Sequence, residues 1–287
     1  MSTTEPGTRV GFFTDTSVCI GCKACEVACK EWNLVPEDGI LWTGESYDNT
    51  SALGANTWRH VAFVEQHKPL RLDGPEPAVD AEPLRWLMSS DVCKHCTHAA
   101  CLDVCPTGAL FRTEFGTVVV QPDVCNGCGY CVPTCPFGVI DRRHLPAPPG
   151  DEGLTLPLFE PEDGRVWKCT LCYDRLKGGR IPACAKACPT HSIQFGEVDE
   201  LRERAGERLA KLEAEHWNGP RLYGNNPDDG VGGFGAFFLL LDEPEVYGLP
   251  PDPVVPTKHL PHLWRTTAYA AAGVFAGIAA AFVGGRR

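Results

Sequence analysis

Apolar and polar residues alternate from Trp58 to Glu65, WRHVAFVE, a period of two that predicts a strand with one face toward a core. Ala109–Arg112 and Thr117–Gln121 predict two shorter strands joined through Gly116 as a hairpin. Leu201, Ala205, Leu209, Leu212 and His216 with Trp217 recur at helical spacing among Glu, Arg and Lys, so this stretch predicts an amphipathic helix packed on the domain. In Gly230–Leu241, GVGGFGAFFLLL, the glycine-rich start lacks the lysine and Ser/Thr of a phosphate loop, and the apolar half predicts a buried strand. HKPLRLDGPEPAVDAEP, rich in Pro, Gly and acid, predicts a surface loop.

The last patterned stretch, Thr266–Gly285, carries no charge. As a helix it spans about 30 Å, the thickness of a bilayer's hydrocarbon core. Trp264 before it, Arg286 and Arg287 after it and Gly273-x3-Gly277 within it favour a membrane helix packed on another helix. The competing reading is a helix buried against another protein.

Between the patterned stretches lie all sixteen cysteines, in four runs. CNGCGYCVPTCP supplies Cys125, Cys128, Cys131 and Cys135 at C-x2-C-x2-C-x3-C followed by proline, the bacterial spacing for iron-sulfur clusters. CIGCKACEVAC supplies Cys19, Cys22, Cys25 and Cys29; CKHCTHAACLDVC supplies Cys93, Cys96, Cys101 and Cys105; CTLCYDRLKGGRIPACAKAC supplies Cys169, Cys172, Cys184 and Cys188. Zinc sites pair two short C-x2-C hooks across a longer spacer and do not add a third and fourth cysteine in this way. Disulfides mark small exported folds that lack a sufficient core, which 287 residues at 43% hydrophobic content need not be. Four complete sets of four thiolates therefore predict four 4Fe-4S clusters.

Only nineteen residues separate Cys105 from Cys125, so the second and third runs form one compact two-cluster module around the predicted hairpin, and the first and fourth pair across it. In such modules the fourth cysteine of each run ligates the other run's cluster. The expected sets are Cys19, Cys22, Cys25 with Cys188; Cys169, Cys172, Cys184 with Cys29; Cys93, Cys96, Cys101 with Cys135; and Cys125, Cys128, Cys131 with Cys105. The fold class is α+β, with two nested ferredoxin-like two-cluster modules. An inner module of about 91–145 is inserted in an outer one of 11–90 plus 146–200, within a cluster domain of 1–255. Residues 256–287 form an anchor with one transmembrane helix.

A formal net charge of −11 excludes the basic footprint of nucleic-acid binding. Thirty glycines and twenty-five prolines suit a chain folded around inorganic cores through short loops. No acid/base constellation, nucleophile elbow or dinucleotide fingerprint is present, so no catalytic residue is expected. His95 and His98 lie near cysteines whose set is already complete and read as loop residues rather than ligands. The first eighteen residues contain Glu5 and Asp15, with no apolar core and no Arg-Arg pair, so they form neither a secretory nor a twin-arginine signal. Alone this points to the cytoplasm, unless the protein is exported folded beside a partner that carries the signal.

CIGCKACEVACKEWN, CKHCTHAACLDVCPTGAL, CNGCGYCVPTCPFGVI, KCTLCYDRLKGGRIPACAKACPT and the late LYG and VYGLPPDP resemble the iron-sulfur (beta) subunit of membrane-bound respiratory formate dehydrogenases, from about Gly11 to the terminal helix. The cysteine runs alone specify only the wider class of four-cluster subunits of molybdopterin oxidoreductases; the terminal helix narrows it. The resemblance implies a partner that oxidises formate at a molybdenum or tungsten bis-pterin, and a b-haem cytochrome membrane subunit leading to quinone. It also implies co-export with a twin-arginine partner, placing the cluster domain on the outer face of the cell membrane rather than the cytoplasmic one. One departure is HLPAPPGDEGLTLPLFEPEDG before Val166, longer than the family pattern. The rival readings are the beta subunit of a nitrate, dimethyl sulfoxide or polysulfide enzyme, and a zinc-stabilised scaffold. Nitrate relatives replace one ligand cysteine with tryptophan, and none is replaced here.

Overall fold

The computed structural model describes residues 7–38, 42–44, 47–66, 85–143, 164–217 and 219–284. Its strands are β1 (Val10–Asp15), β2 (Arg59–Gln66), β3 (Arg85–Val92), β4 (Leu110–Arg112), β5 (Val118–Val120), β6 (Asp141–Arg142), β7 (Val166–Trp167), β8 (Ile193–Glu197), β9 (Arg221–Tyr223) and β10 (Ala236–Leu240). The α-helices are α1 (Ala24–Asn33), α2 (Ala100–Asp103), α3 (Cys131–Thr134), α4 (Tyr173–Lys177), α5 (Ala183–Ala187), α6 (Val198–Ala214) and α7 (Leu260–Gly284). The result is a mixed α/β chain ending in one long apolar helix.

A four-stranded sheet in the order β8-β1-β10-β9 ties the two ends of the cluster domain together. The pair β1 and β10 runs parallel, with Phe12 opposite Ala236, while β8 and β9 flank it antiparallel. Both central strands, VGFFTD and AFFLL, are buried along their whole length, which is why neither alternates apolar and polar residues. Helix α6 covers this sheet with Leu201, Ala205 and Leu212, all buried. It stops at Ala214, short of His216 and Trp217: His216 turns left-handed at φ 59 and the Trp217 N–H closes back on Leu212 O at 3.0 Å.

Strand β2 forms where the alternation predicts it, and the hairpin of β4 and β5 pairs Leu110 with Val120. The partner of β2 is β3, whose RWLMSSDV carries no clean alternation because Ser89 and Ser90 are buried beside Leu87. Helix α7 begins at Leu260 rather than Thr266, since Pro261 falls in the first turn where no N–H is needed. Its stretch His262–Gly284 has a mean hydropathy of 1.6 and buries none of its surface in the chain. The predicted loop HKPLRLDGPEPAVDAEP, most of the long stretch before Val166, Gly285, Arg286 and Arg287 lie outside the described residues.

Two contacts carry specific energetic consequences. Phe12 N–H donates to Gly235 O at 2.8 Å, and a Cβ on Gly11 would sit 1.9 Å from that same oxygen. Asp48 ties the segment between α1 and β2, accepting from Lys23 Nζ at 2.8 Å, Ser51 N at 2.8 Å and Thr50 N at 3.0 Å, and meeting His60 Nε2 at 2.7 Å. Burial pushes its carboxyl up, but Lys23, His60 and the Thr50 N–H outweigh this and hold it below the usual carboxylate range.

Gly11→Ala is expected to destabilise the domain by about 1–3 kcal/mol through overpacking. The check is unfolding at lower urea than in Gly54→Ala, where a Cβ meets nothing within 4 Å. A depressed folded-state pKa contributes stability above the unfolded carboxyl value of about 3.9 and loses it as pH falls through the folded one. The urea-resistance gap between the parent and Asp48→Asn is therefore expected to be full above about pH 5 and to close progressively below about pH 4.

Candidate metal centres

The four cysteine runs fold alike. In each, the second residue of the first C-x2-C spacer is left-handed: Gly21 at φ 64, His95 at φ 45, Gly127 at φ 71 and Leu171 at φ 58. That curl turns both flanking thiols to one side. A short helix then carries the third cysteine: α1 for Cys25, α2 for Cys101, α3 for Cys131 and α5 for Cys184. Cys135 and Cys188 leave their helices in extended backbone as C-caps, whereas Cys29 sits inside α1, which continues one turn to Asn33.

Two of the positions that turn left-handed are not glycine, which costs about 1–2 kcal/mol each. His95 is held there by the Val118 N–H, which donates to its Nδ1 at 3.1 Å. Burial, then Lys168 and Arg112, push its ring pKa well below the ordinary value, so His95 is a neutral imidazole. Leu171 is fully buried and its N–H donates to Cys169 Sγ at 3.3 Å. The glycine-rich stretch before β10 lies against the second run: Thr97 N–H bonds Gly233 O at 3.0 Å, His98 N–H bonds Val231 O at 2.8 Å, and a Cβ on Gly232 would strike His98. Its glycines permit close backbone approach, a role that the sequence pattern does not reveal.

The thiols gather in four places. One cavity is lined by Cys19, Cys22, Cys25 and Cys188, and another by Cys93, Cys96, Cys101 and Cys135. Asn33 Nδ2 lies 3.6 Å from Cys29 Sγ and 3.8 Å from Cys172 Sγ, and the Cys29 thiol is raised by burial and then by Cys169, Cys184 and Cys172. The Cys131 thiol is pushed up to about 12 by burial, against its own backbone N–H, and further by Cys125, Cys105 and Cys128.

Burial also pushes Cys169 and Cys101 up to about 12 and Cys96 well above the ordinary thiol value. Such groups stay protonated unless a cation compensates the thiolate. At Cys105 burial acts upward too, but the Leu110, Thr107 and Ala109 N–H groups and the Thr107 hydroxyl bring its pKa below the ordinary value. Among the described residues no three His, Cys, Asp or Glu side chains converge tightly enough for a single ion. Thiol quartets without three donors placed for a single ion fit a polynuclear centre such as 4Fe-4S rather than tetrahedral zinc.

Sequence reading missed the buried cations beside these thiols. Arg59, Lys94 and Lys168 are 1%, 0% and 1% exposed. Lys94 and Lys168 adjoin cysteines in the chain, and Arg59 shares a strand face with buried Val61, so parity was the available signal. Lys94 is ion-paired with Asp91.

Models of the 4Fe-4S dicluster domain match residues 18–109, 84–145 and 124–193. The chain is 39% identical over 285 residues to the nitrate-inducible formate dehydrogenase iron-sulfur subunit of Escherichia coli (strain K12), covering 96% of this chain and 85% of the relative. It is 39% identical over 245 residues to the formate dehydrogenase iron-sulfur subunit of Haemophilus influenzae, covering 84% and 68%. The B subunit of anaerobic dimethyl sulfoxide reductase of Escherichia coli (strain K12) is more distant, at 33% over 218 residues, covering 75% and 87%. A near full-length match at this identity, on a chain whose cysteines gather as thiol quartets, makes it a member of the family of formate dehydrogenase iron-sulfur subunits.

Proposed function

We propose that this chain is the electron relay of a formate dehydrogenase, carrying electrons from a molybdenum or tungsten bis-pterin subunit through four 4Fe-4S clusters toward a membrane cytochrome b and quinone. When bound, a cubane held by four thiolates takes up and releases one electron with little change of shape. The chain's own residues supply the spacing. The four ligand sets are Cys19, Cys22, Cys25 and Cys188; Cys169, Cys172, Cys184 and Cys29; Cys93, Cys96, Cys101 and Cys135; and Cys125, Cys128, Cys131 and Cys105, in two nested two-cluster modules.

The observation that carries this reading is that the sets adjoin in a row. Cys25 of the first set, Cys29, Cys169 and Cys184 of the second and Cys93 of the third lie in one buried cluster, and Cys96, Cys101 and Cys135 of the third share another with Cys105, Cys125 and Cys131 of the fourth. The root of α7 packs at the later end, where Thr257 Oγ1 donates to Asp103 Oδ2 at 2.6 Å and Val255 lines the Cys93 cavity. At the opposite end Cys22 is exposed, as are Ile20 and Val27. Electrons enter from the catalytic subunit at the Cys19 set and leave near the membrane.

Helix α7 is the anchor. Gly273 and Gly277 have open space where a Cβ would stand, which leaves a small-residue face for close approach of a partner helix such as that of a cytochrome b. Arg286 and Arg287 follow the span, and the cluster domain sits on the outer face with the C-terminus in the cytoplasm.

Anaerobically prepared protein is expected to hold about sixteen irons per chain. Half that number with zinc in place would overturn the cluster count. Cys188→Ser is expected to alter the same paramagnetic resonance signal as Cys22→Ser and a different one from Cys172→Ser; the reverse pattern would refute the crossed sets. Ending the chain at His259 is expected to give a soluble brown domain that binds the catalytic subunit but delivers electrons to quinone poorly. Retention in the membrane fraction when the cytochrome subunit is deleted as well would show that the anchor lies elsewhere.

A further inference from the structure

Arg59 is a permanent cation sealed in the interior, and among the described residues no carboxylate lies within ion-pair distance of it. Its Nη1 donates to Ser90 O at 3.3 Å and Ser90 Oγ at 3.1 Å, and its guanidinium lies 4.9 Å from the centre of the Phe12 ring. Nε and Nη2 are buried with no protein acceptor. The thiols that act on it are Cys184, Cys25, Cys169 and Cys29, drawn from the first two sets.

Lys168 repeats the situation one junction further on. It is fully buried, donates to Val118 O and Cys169 O, and faces Cys93, Cys101 and Cys169, from the second and third sets. Again no carboxylate among the described residues is within ion-pair distance. Two other buried cations are neutralised conventionally, Lys94 by Asp91 and Arg85 by Asp242 at 3.1 Å. An unpaired buried charge is costly enough that its counter-charge must come from something beside it, and the thiolate-bound centres are formal dianions when oxidised.

We propose that Arg59 and Lys168 set the reduction potentials along the relay, and that the centre held by Cys169, Cys172 and Cys184, which lies between them, is the most readily reduced of the four. The inference rests on the four-cluster reading above. Reduction adds one electron and no proton, turning a dianion into a trianion, so a fixed neighbouring cation favours the reduced state. Only this centre is flanked by both unpaired cations; beside Cys172 the charges of Asp174 and Arg175 oppose one another.

The test is a redox titration of the full chain followed by paramagnetic resonance, with iron content measured in parallel. Arg59→Met and Lys168→Met are each expected to disfavour reduction of two centres by at least about tenfold, a fall of ~59 mV for a one-electron couple. The two variants share one affected signal, and Arg59→Lys and Lys168→Arg restore it. In the parent protein that shared signal has the highest midpoint and is the one altered by Cys172→Ser. Unchanged midpoints in both methionine variants at full iron content overturn the proposal. Should the methionine variants lose iron, the parent decides: a highest-midpoint signal that Cys172→Ser leaves intact overturns it equally. Absence of four centres from the parent would instead refute the relay reading itself.

Discussion

Keeping thiolates charged inside a protein is the constraint on which this fold depends. Burial first, and neighbouring thiols after it, drive Cys101, Cys131 and Cys169 to about 12. Without compensating positive charge these side chains are neutral thiols packed in apolar cavities. Iron bound within a quartet would supply such charge, and the buried cations Arg59 and Lys168 lie among the same thiols. Metal binding and folding are thus linked, since the cavities are organised around groups that are stable as thiolates only when filled.

The short sheets and helices serve that constraint by bringing distant parts of the chain together. The parallel pairing of β1 with β10 places the N-terminal strand, which leads into the first run, against the C-terminal strand whose glycine-rich approach cradles the second. The repeated left-handed curl in each run solves a local problem of aiming two thiols inward. Two of the four positions accept a side chain because tertiary contacts hold it: Val118 bonds His95, and Leu171 is fully packed.

Helix α7 stands apart from this economy. It buries nothing within the chain, yet its root is fastened to α2 beside the Cys93 cavity through Thr257 and Asp103. That root lies on the side of the Cys93 cavity, and the exposed apolar residues Ile20 and Val27 lie beside the first run.

Cysteine number and spacing are local facts, and they were enough to point to 4Fe-4S chemistry; the alternation at Trp58–Glu65 and the helical period from Leu201 likewise placed β2 and α6. The strands β1, β3 and β8 were not legible. β1 carries no period because both its faces are buried, β3 hides its pattern in buried serines, and β8 takes its identity from pairing with β1. Nor could spacing show which cations lose their water. Arg59 and Lys168 read as ordinary charged residues in the sequence, and only the packing of β2 on β3 around Arg59 and of β5 against Lys168 strips them of solvent, because burial is a property of the packed assembly and not of the residue.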